Sequence, residues 1–132
     1  MTRRRLRILV ADDSAFARRI SCHLLRQCEA DMEEAADGDE AVMWTFLDEF
    51  DLVLMDVQMP EMDGLEATRY LRDVGFRGPI VATSGSASHA DIAECLAAGM
   101  DDHLPKPFTH GQLERLLERI ASCAAAVPTA PP

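Results

Sequence analysis

The chain has 132 residues, of which 48% are hydrophobic, a length and composition that fit one domain with one core. Thirteen lysines and arginines against 23 aspartates and glutamates give a formal net charge of −10, which opposes direct binding to nucleic acid or anionic membranes. No stretch resembles a membrane span or a secretion signal, so we expect a cytoplasmic protein without membrane insertion. The 4 cysteines lack C-x-x-C spacing, which favours packed thiols over a disulfide framework or a zinc site.

Short apolar runs alternate along the chain with segments of helical character. The predicted strands are Arg7–Ala11, Met32–Ala35, Leu52–Asp56, Ile80–Ser84 and His103–Pro105. The predicted helices are 15–27, 38–49, a third that follows Gly64 and stops before Gly75, 90–97, and a fifth that opens with Thr109 and Gln112 in capping-box spacing. This alternation is typical of an α/β fold, a doubly wound parallel sheet with helices on both faces.

Apolar spacing also predicts which side of several helices is buried. The predicted faces are Phe16, Ile20 and Leu24 in the first helix; Val42, Phe46 and Phe50 in the second; Ala67, Leu71 and Val74 in the third; and Leu113, Leu116, Leu117 and Ile120 in the fifth. We expect the first helix to be capped by Asp13-Ser14 and Trp44 to be a partly buried ring. Residues 124–132 are rich in Ala and Pro, so we predict a domain over 1–123 and a disordered tail.

Polar and charged side chains lie at the end of four of the predicted strands or directly after them. They are Asp12, Asp13, Asp56, Ser84 and Lys106. Each has an ordinary alternative as a helix cap, a turn residue or a solvated lysine. Because the carboxyl ends of parallel strands meet at one edge of a sheet, we expect these side chains to share one cleft.

That set of groups matches the needs of a phosphorylated carboxylate. Mg²⁺ prefers oxygen ligands, which Asp13 and Asp56 supply together with a backbone carbonyl and a phosphate oxygen. Lys106 offers a positive charge and Ser84 a hydroxyl for phosphoryl oxygens. The backbone N–H groups of Val57 and Gly85 are further candidate donors.

In these residues the sequence resembles the receiver domains of two-component response regulators, both free-standing regulators and receivers of hybrid histidine kinases. Four segments occur in the family's order: Val10–Ser14, Met55–Gly64, Pro79–Gly85 and Gly99–Phe108. The resemblance implies a flavodoxin-like, five-stranded parallel sheet with strand order 2-1-3-4-5.

The resemblance also implies roles for individual residues. Asp56 would take a phosphoryl group from a phosphohistidine. Asp12 and Asp13 would organise Mg²⁺, or Mn²⁺, and the Gln58 backbone carbonyl would be a further metal ligand. Ser84 would be the switch hydroxyl and Lys106 the phosphate-pairing lysine, with a cis Lys106–Pro107 bond. The protein would catalyse only its own phosphoryl transfer and slow dephosphorylation. Its expected partners are a histidine kinase and a phosphotransfer or other output protein, contacted through the face formed by helix four, strand five and helix five.

His103 departs from the family, which usually has Tyr or Phe three residues before the lysine. It either fills the same space as a flat ring, or it makes the switch pH-sensitive or changes the output face. Gln58 and Ser86 occupy positions that influence the lifetime of the acyl phosphate in the family.

Three other functions share parts of this pattern. A receiver-like scaffold would need no phosphorylation. A Mg²⁺-dependent phosphohydrolase would need a D-x-D arrangement, which Asp12-Asp13-Ser14 does not supply. A flavodoxin-like cofactor binder would need a phosphate loop rich in Ser, Thr and Gly after the first strand, and the residues that follow this strand do not form one.

Overall fold

The computed structural model describes residues 4–85 and 88–126, and in them strands and helices alternate strictly. The strands are β1 (Arg7–Ala11), β2 (Asp31–Ala35), β3 (Leu52–Asp56), β4 (Ile80–Ser84) and β5 (Asp102–Pro105). The helices are α1 (Ala15–Gln27), α2 (Gly38–Leu47), α3 (Gly64–Asp73), α4 (His89–Ala98) and α5 (His110–Ala126). Strands β2 and β5 each begin one residue before their predicted start, at an edge of the sheet.

All strand pairs are parallel, and their order is β2-β1-β3-β4-β5, so the predicted topology is confirmed. In this register Ala11 lies beside Met55, and Asp56 lies beside Thr83. The ends of β1, β3 and β4 are therefore level at one edge of the sheet. That edge holds the acidic residues.

The sheet is covered on both faces, as predicted. Ile8 and Leu54 point to a core shared with α1 and α5, whereas Leu9 and Val53 point to a core shared with α2, α3 and α4. Every residue of β3 is buried, because this central strand has a neighbour on each side and helices above and below. Asp56, the last residue of β3, is therefore buried as well, at the end of the sheet where the acidic residues lie.

The predicted apolar face of α1 is wrong. Cys22 and Leu25 are buried, whereas Phe16 is 74% and Ile20 46% exposed, and Leu24 is only partly buried. Four-residue spacing identified an apolar stripe, but the side of α1 that packs on the sheet carries Ser21, Cys22 and Leu25. Two large apolar side chains of α1 therefore face solvent.

Helices α2 and α3 also differ from prediction near their ends. Helix α2 ends at Leu47 rather than Glu49, because the next residue, Asp48, has an extended backbone. Phe50 therefore leaves the helical stripe and packs edge-on against Trp44, while Phe46 is 62% exposed. In α3 the predicted burial of Ala67 and Leu71 is confirmed, but Val74 follows the last helical turn and is 47% exposed.

Helix α5 begins with the predicted capping box. Thr109 Oγ1 accepts from the Gln112 N–H at 3.1 Å, and Gln112 Oε1 accepts from the Thr109 N–H at 2.8 Å. The helix continues to Ala126, into the segment predicted as a tail, and residues 127–132 lie outside the described residues. The domain boundary at Cys123 thus stays a prediction. Within 4–85 and 88–126, no helix has both the length and the apolar character to cross a bilayer.

Arg72, near the end of α3, joins segments at the edge of the sheet opposite the acidic residues. Its Nε donates to the Gly99 carbonyl at 2.9 Å, and Nη1 donates to two carbonyls before β4 at 2.8 and 2.9 Å. Its Nη2 pairs at 2.9 Å with Asp101 Oδ2, which also accepts from the Ile80 N–H at 2.9 Å. One guanidinium therefore fixes the amino ends of β4 and β5.

Candidate functional site

The two acidic residues after β1 have different surroundings. Asp12 is 3% exposed, and its Oδ1 accepts from the Ser14 N–H at 2.9 Å while its Oδ2 pairs with Lys106 Nζ at 2.8 Å. Asp13 is exposed at the rim of the cleft. Ser14 caps α1 by accepting from the Ala17 N–H, as predicted. Asp12 is thus fixed by protein donors, whereas Asp13 is open to solvent at the cleft.

Asp56 lies at the end of β3 and is 6% exposed. Its Oδ1 accepts from the Gln58 N–H at 3.3 Å, and its Oδ2 lies 3.4 Å from Lys106 Nζ. Burial raises the pKa of Asp56 to about 6; the charge of Asp12 adds to this rise and the charge of Lys106 opposes it. The protein alone therefore stabilises the Asp56 carboxylate poorly, and a bound cation would favour it.

Lys106 follows β5 and reaches both buried acids. Burial acts to lower its pKa, but the hydrogen bond to Asp12 and the charges of Asp56 and Asp12 outweigh burial and raise the pKa. Its backbone N–H donates to the Ser84 carbonyl at 2.7 Å, which holds the end of β5 beside β4. The Lys106–Pro107 peptide is cis, as the family resemblance implies.

Ser84 and His103 form a direct contact between neighbouring strands. Ser84 Oγ lies 2.8 Å from His103 Nε2, and the tautomer of the ring decides which group donates. Both side chains are half-buried, and Ser84 also lines the acidic cleft. The histidine thus contacts the predicted switch hydroxyl through a ring nitrogen that a Phe ring does not have.

One cleft collects the predicted site residues. It is lined by Asp12, Asp13, Asp56, Gln58, Ser84 and Lys106, among others. One carboxylate oxygen from each of the three aspartates lies within 4.8 Å of the other two. An all-oxygen donor set suits Mg²⁺ or Mn²⁺, so the residues fit the predicted metal. The expectation that these strand ends share one cleft is confirmed.

The loop after β3 returns to touch Asp56. The Gly64 N–H donates to the Val57 carbonyl at 2.9 Å, and a β-carbon on Gly64 would lie 2.1 Å from the Asp56 carbonyl oxygen. Asp63 and Glu66 then form a capping box that starts α3. Space alone requires glycine at position 64, and this close approach shapes the wall of the cleft.

The backbone donors of the cleft differ from expectation. The Val57 N–H donates to the Thr83 carbonyl at 3.1 Å, because pairing of β3 with β4 extends past Asp56, so its predicted role is wrong. The Gln58 N–H, which sequence reasoning missed, is directed at Asp56 instead. No pattern in the sequence marked this amide, because its role depends on where the pairing of β3 with β4 ends. Gly85 lines the cleft, and its donor role stays a prediction; Ser86 lies outside the described residues.

Residues 8–120 match the family model described as the response regulator receiver domain. The chain belongs to the response regulator receiver family. This receiver is 36% identical over 123 residues to the two-component response regulator ORR41 of Oryza sativa, an alignment that covers 90% of this chain and 97% of ORR41. It is 38% identical over 115 residues to the transcription factor SKN7 of Chaetomium thermophilum, covering 86% of this chain. The receiver spans only 15% of that SKN7, and 21% of the SKN7 of Saccharomyces cerevisiae.

Solved structures of receivers agree with this fold. The receiver of sensor histidine kinase PA1611 from Pseudomonas aeruginosa, solved with magnesium in its active-site cleft, has a TM-score of 0.83 and 35% identity, covering 90% of this chain and 99% of that one. The receiver of Ssk1 from Saccharomyces cerevisiae, solved with the phosphotransfer protein Ypd1, has a TM-score of 0.87 and 25% identity, covering 98% and 97%. Receivers of this kind are signalling switches in two-component and phosphorelay systems.

Proposed function

We propose that this receiver accepts a phosphoryl group on Asp56 from a phosphohistidine of a partner protein, in a Mg²⁺-dependent transfer. A carboxylate oxygen of Asp56 forms the new P–O bond while the P–N bond to the imidazole breaks, and its electron pair stays on the imidazole nitrogen. The observation that carries the proposal is the contact of Lys106 with both Asp12 and Asp56 in a cleft that also holds Asp13.

The carboxylates of Asp13 and Asp56, with the Gln58 carbonyl, would hold the metal ion, which supplies positive charge beside the transferring phosphoryl group. Asp12 has two roles. Its carboxylate accepts from Lys106 and from the Ser14 N–H, which positions the lysine and the start of α1, and it lies close enough to Asp13 and Asp56 to help to organise the metal site. The PA1611 receiver, which was solved with magnesium in its active-site cleft, supports by similarity a magnesium ion in this cleft.

Three groups would bind the phosphoryl oxygens. Lys106 Nζ lies 3.4 Å from Asp56 Oδ2 and needs only a side-chain rotation to pair with a phosphoryl oxygen attached there. The Gln58 N–H, 3.3 Å from Asp56 Oδ1, is a second donor. The Ser84 hydroxyl is the third, once its proton points into the cleft rather than toward His103.

We assign Ser84 and His103 as the switch. Formation of a Ser84–phosphoryl hydrogen bond alters the Ser84–His103 contact, so the state of Asp56 is transmitted to β5. Beside β5 lies a groove lined by Leu104, Gln112, Arg115, Glu118, Arg119 and Ser122. We infer that output proteins bind this face of α4, β5 and α5, and that phosphorylation shifts an existing equilibrium between its conformations.

The phosphate-donating partner is a histidine kinase or a phosphotransfer protein. It must bring its histidine to the rim of the cleft, where α1 begins after Asp13. Phe16 and Ile20 stand one turn apart on α1 and are 74% and 46% exposed, an apolar contact surface beside that rim. Ssk1 was solved with such a phosphotransfer protein. The net charge of −10 further favours protein partners over nucleic acid, and a cytoplasmic location stays a prediction.

Intact-mass analysis after incubation with acetyl phosphate and Mg²⁺ tests the proposal. We expect a gain of one phosphoryl group in the wild type, no gain with EDTA, and no gain in Asp56→Asn. Asp73→Asn is the matched control, because Asp73 is exposed at the end of α3 and outside the cleft lining. Labelling of Asp56→Asn would place the acceptor elsewhere. Failure of the wild type to label, with this donor and with phosphorylated histidine kinases, would favour a scaffold.

A further inference from the structure

Three side chains that can bind a transition metal meet between α1 and α5. Cys28 forms the end of α1, and His110 and Glu114 stand one turn apart at the start of α5. One ligand atom from each lies within 4.8 Å of the other two, and His110 Nε2 is 3.9 Å from Glu114 Oε2. None of these three lines the acidic cleft described above.

We propose that Cys28, His110 and Glu114 form a zinc site that joins α1 to α5. Zn²⁺ accepts sulfur, nitrogen and oxygen ligands in a tetrahedron, and sites with three protein ligands keep water in the fourth position. Thiolate and imidazole are poor ligands for Mg²⁺, so this cluster and the acidic cleft select different ions. The thiolate and the carboxylate together balance the charge of the ion.

The separation between His110 and Glu114 is close to the one that zinc requires, and Cys28 lies within 4.8 Å of both. Zn–S and Zn–N bonds of about 2.3 and 2.1 Å place tetrahedral ligand atoms about 3.4–3.6 Å apart. The present 3.9 Å between His110 and Glu114 needs a change of roughly half an ångström. Rotation of these two side chains, which are 47% and 31% exposed, can supply this change without moving a helix.

The backbone already presents the ligands. His110 and Glu114 are i and i+4 on α5, a spacing that places both on one side of the helix. Cys28 is 3% exposed, its N–H donates to the Leu24 carbonyl at 3.1 Å, and it belongs to the same core as Leu113. Because the side chains of His110 and Glu114 are 47% and 31% exposed, we expect an ion to reach the buried thiol from their side and to keep water in the fourth position.

The test uses the full chain with saturating Mg²⁺, which keeps the acidic cleft occupied. Co²⁺ is titrated as a spectroscopic substitute for Zn²⁺. We expect one equivalent to bind, with a thiolate-to-cobalt charge-transfer band that Zn²⁺ removes. Zn²⁺ should also raise the Tm by roughly 5 °C or more at concentrations well above its Kd.

Single substitutions assign the ligands. Cys28→Ser should abolish the charge-transfer band, and His110→Gln and Glu114→Gln should each weaken Zn²⁺ binding at least tenfold. Cys95→Ser and His23→Gln are matched controls, a second buried cysteine and an exposed histidine, and should bind as the wild type does. His110→Gln changes an exposed side chain and keeps the test valid if Cys28→Ser does not fold.

Several results would overturn the proposal. The wild type would show no thiolate-to-cobalt band, or the band would survive in Cys28→Ser. The band would be lost equally in the Cys95→Ser control, or zinc binding would disappear when Mg²⁺ fills the cleft. Each of these would mean that the metal, if bound, is held by other residues. The site is independent of phosphorylation, so labelling of Asp56 leaves it neither supported nor opposed.

Discussion

Replacing Asp56 with Asn should stabilise the metal-free receiver, although it removes the proposed acceptor. Folding raises the pKa of Asp56 from 3.8 to about 6, mainly through burial. The folded state therefore binds more protons than the unfolded state between these values, so stability falls as pH rises through this window and stays reduced above it. A shift of about two units corresponds to roughly 3 kcal/mol at neutral pH. Asn carries no charge and escapes this cost.

The gain in stability from Asp56→Asn should be larger at neutral pH than at acidic pH. The same two pKa values give a difference of about 3 kcal/mol at pH ~7.5 but only about 1 kcal/mol at pH ~4.5. The ion pair of Asp56 with Lys106 is lost in the variant, but its contribution is already contained in the net pKa. With ΔΔG of this size, the Tm of the variant should rise by roughly 6–10 °C at neutral pH.

Urea unfolding in EDTA, at both pH values, measures the two free energies of unfolding. The comparison requires that the free energies of unfolding of the wild type and of the variant fall with urea concentration at the same slope. Asp73→Asn should lie within about 0.5 kcal/mol of the wild type, because its carboxylate is exposed. Added Mg²⁺ should narrow the gap between wild type and Asp56→Asn, since it binds the folded wild type more tightly. A variant less stable than wild type at neutral pH, or a gap unchanged by pH, would refute the reasoning.

Two other predictions concern the walls of the cleft. Gly64→Ala should lose about 2 kcal/mol or more and slow labelling by acetyl phosphate, because its β-carbon would lie 2.1 Å from the Asp56 carbonyl oxygen. Gly111→Ala, whose β-carbon would meet nothing closer than 3.9 Å, is the control, and equal stability of the two variants would contradict the prediction. His103→Phe keeps a ring but removes the nitrogen beside Ser84, so the ratio of wild-type to variant labelling rates should change between about pH 5.5 and 8. A constant ratio would leave His103 as a space-filling ring.

The site could be predicted because its residues lie at strand ends. An apolar run that closes on Asp56, and others that lead to Asp12 and Ser84, fix both the strands and the edge at which they end. Parallel pairing then brings those ends together, whatever the details of helix packing. Lys106 was identifiable from its place after the fifth run, between two prolines.

Predictions failed where contacts between elements decide the outcome. The spacing of Phe16 and Ile20 marks an apolar stripe but carries no information on which side of α1 meets the sheet. The loss of the Val57 amide depends on how far β3 and β4 remain paired, which their sequences do not specify. Cys28 approaches His110 only because α1 and α5 pack together, so cysteine spacing gave no sign of this cluster.

The guanidinium of Arg72 has a mechanical consequence for the switch. It fixes the amino ends of β4 and β5 through Asp101, whereas Ser84 is the last residue of β4 and Lys106 directly follows the last residue of β5. The two strands are therefore fixed at their amino ends, and their carboxyl ends can tilt about these fixed points. A pull on Ser84 should tilt the free ends and the segments that follow them, while the base of the sheet stays in place. A change at the cleft should therefore move the surface beside α5 and leave the core of the sheet in place.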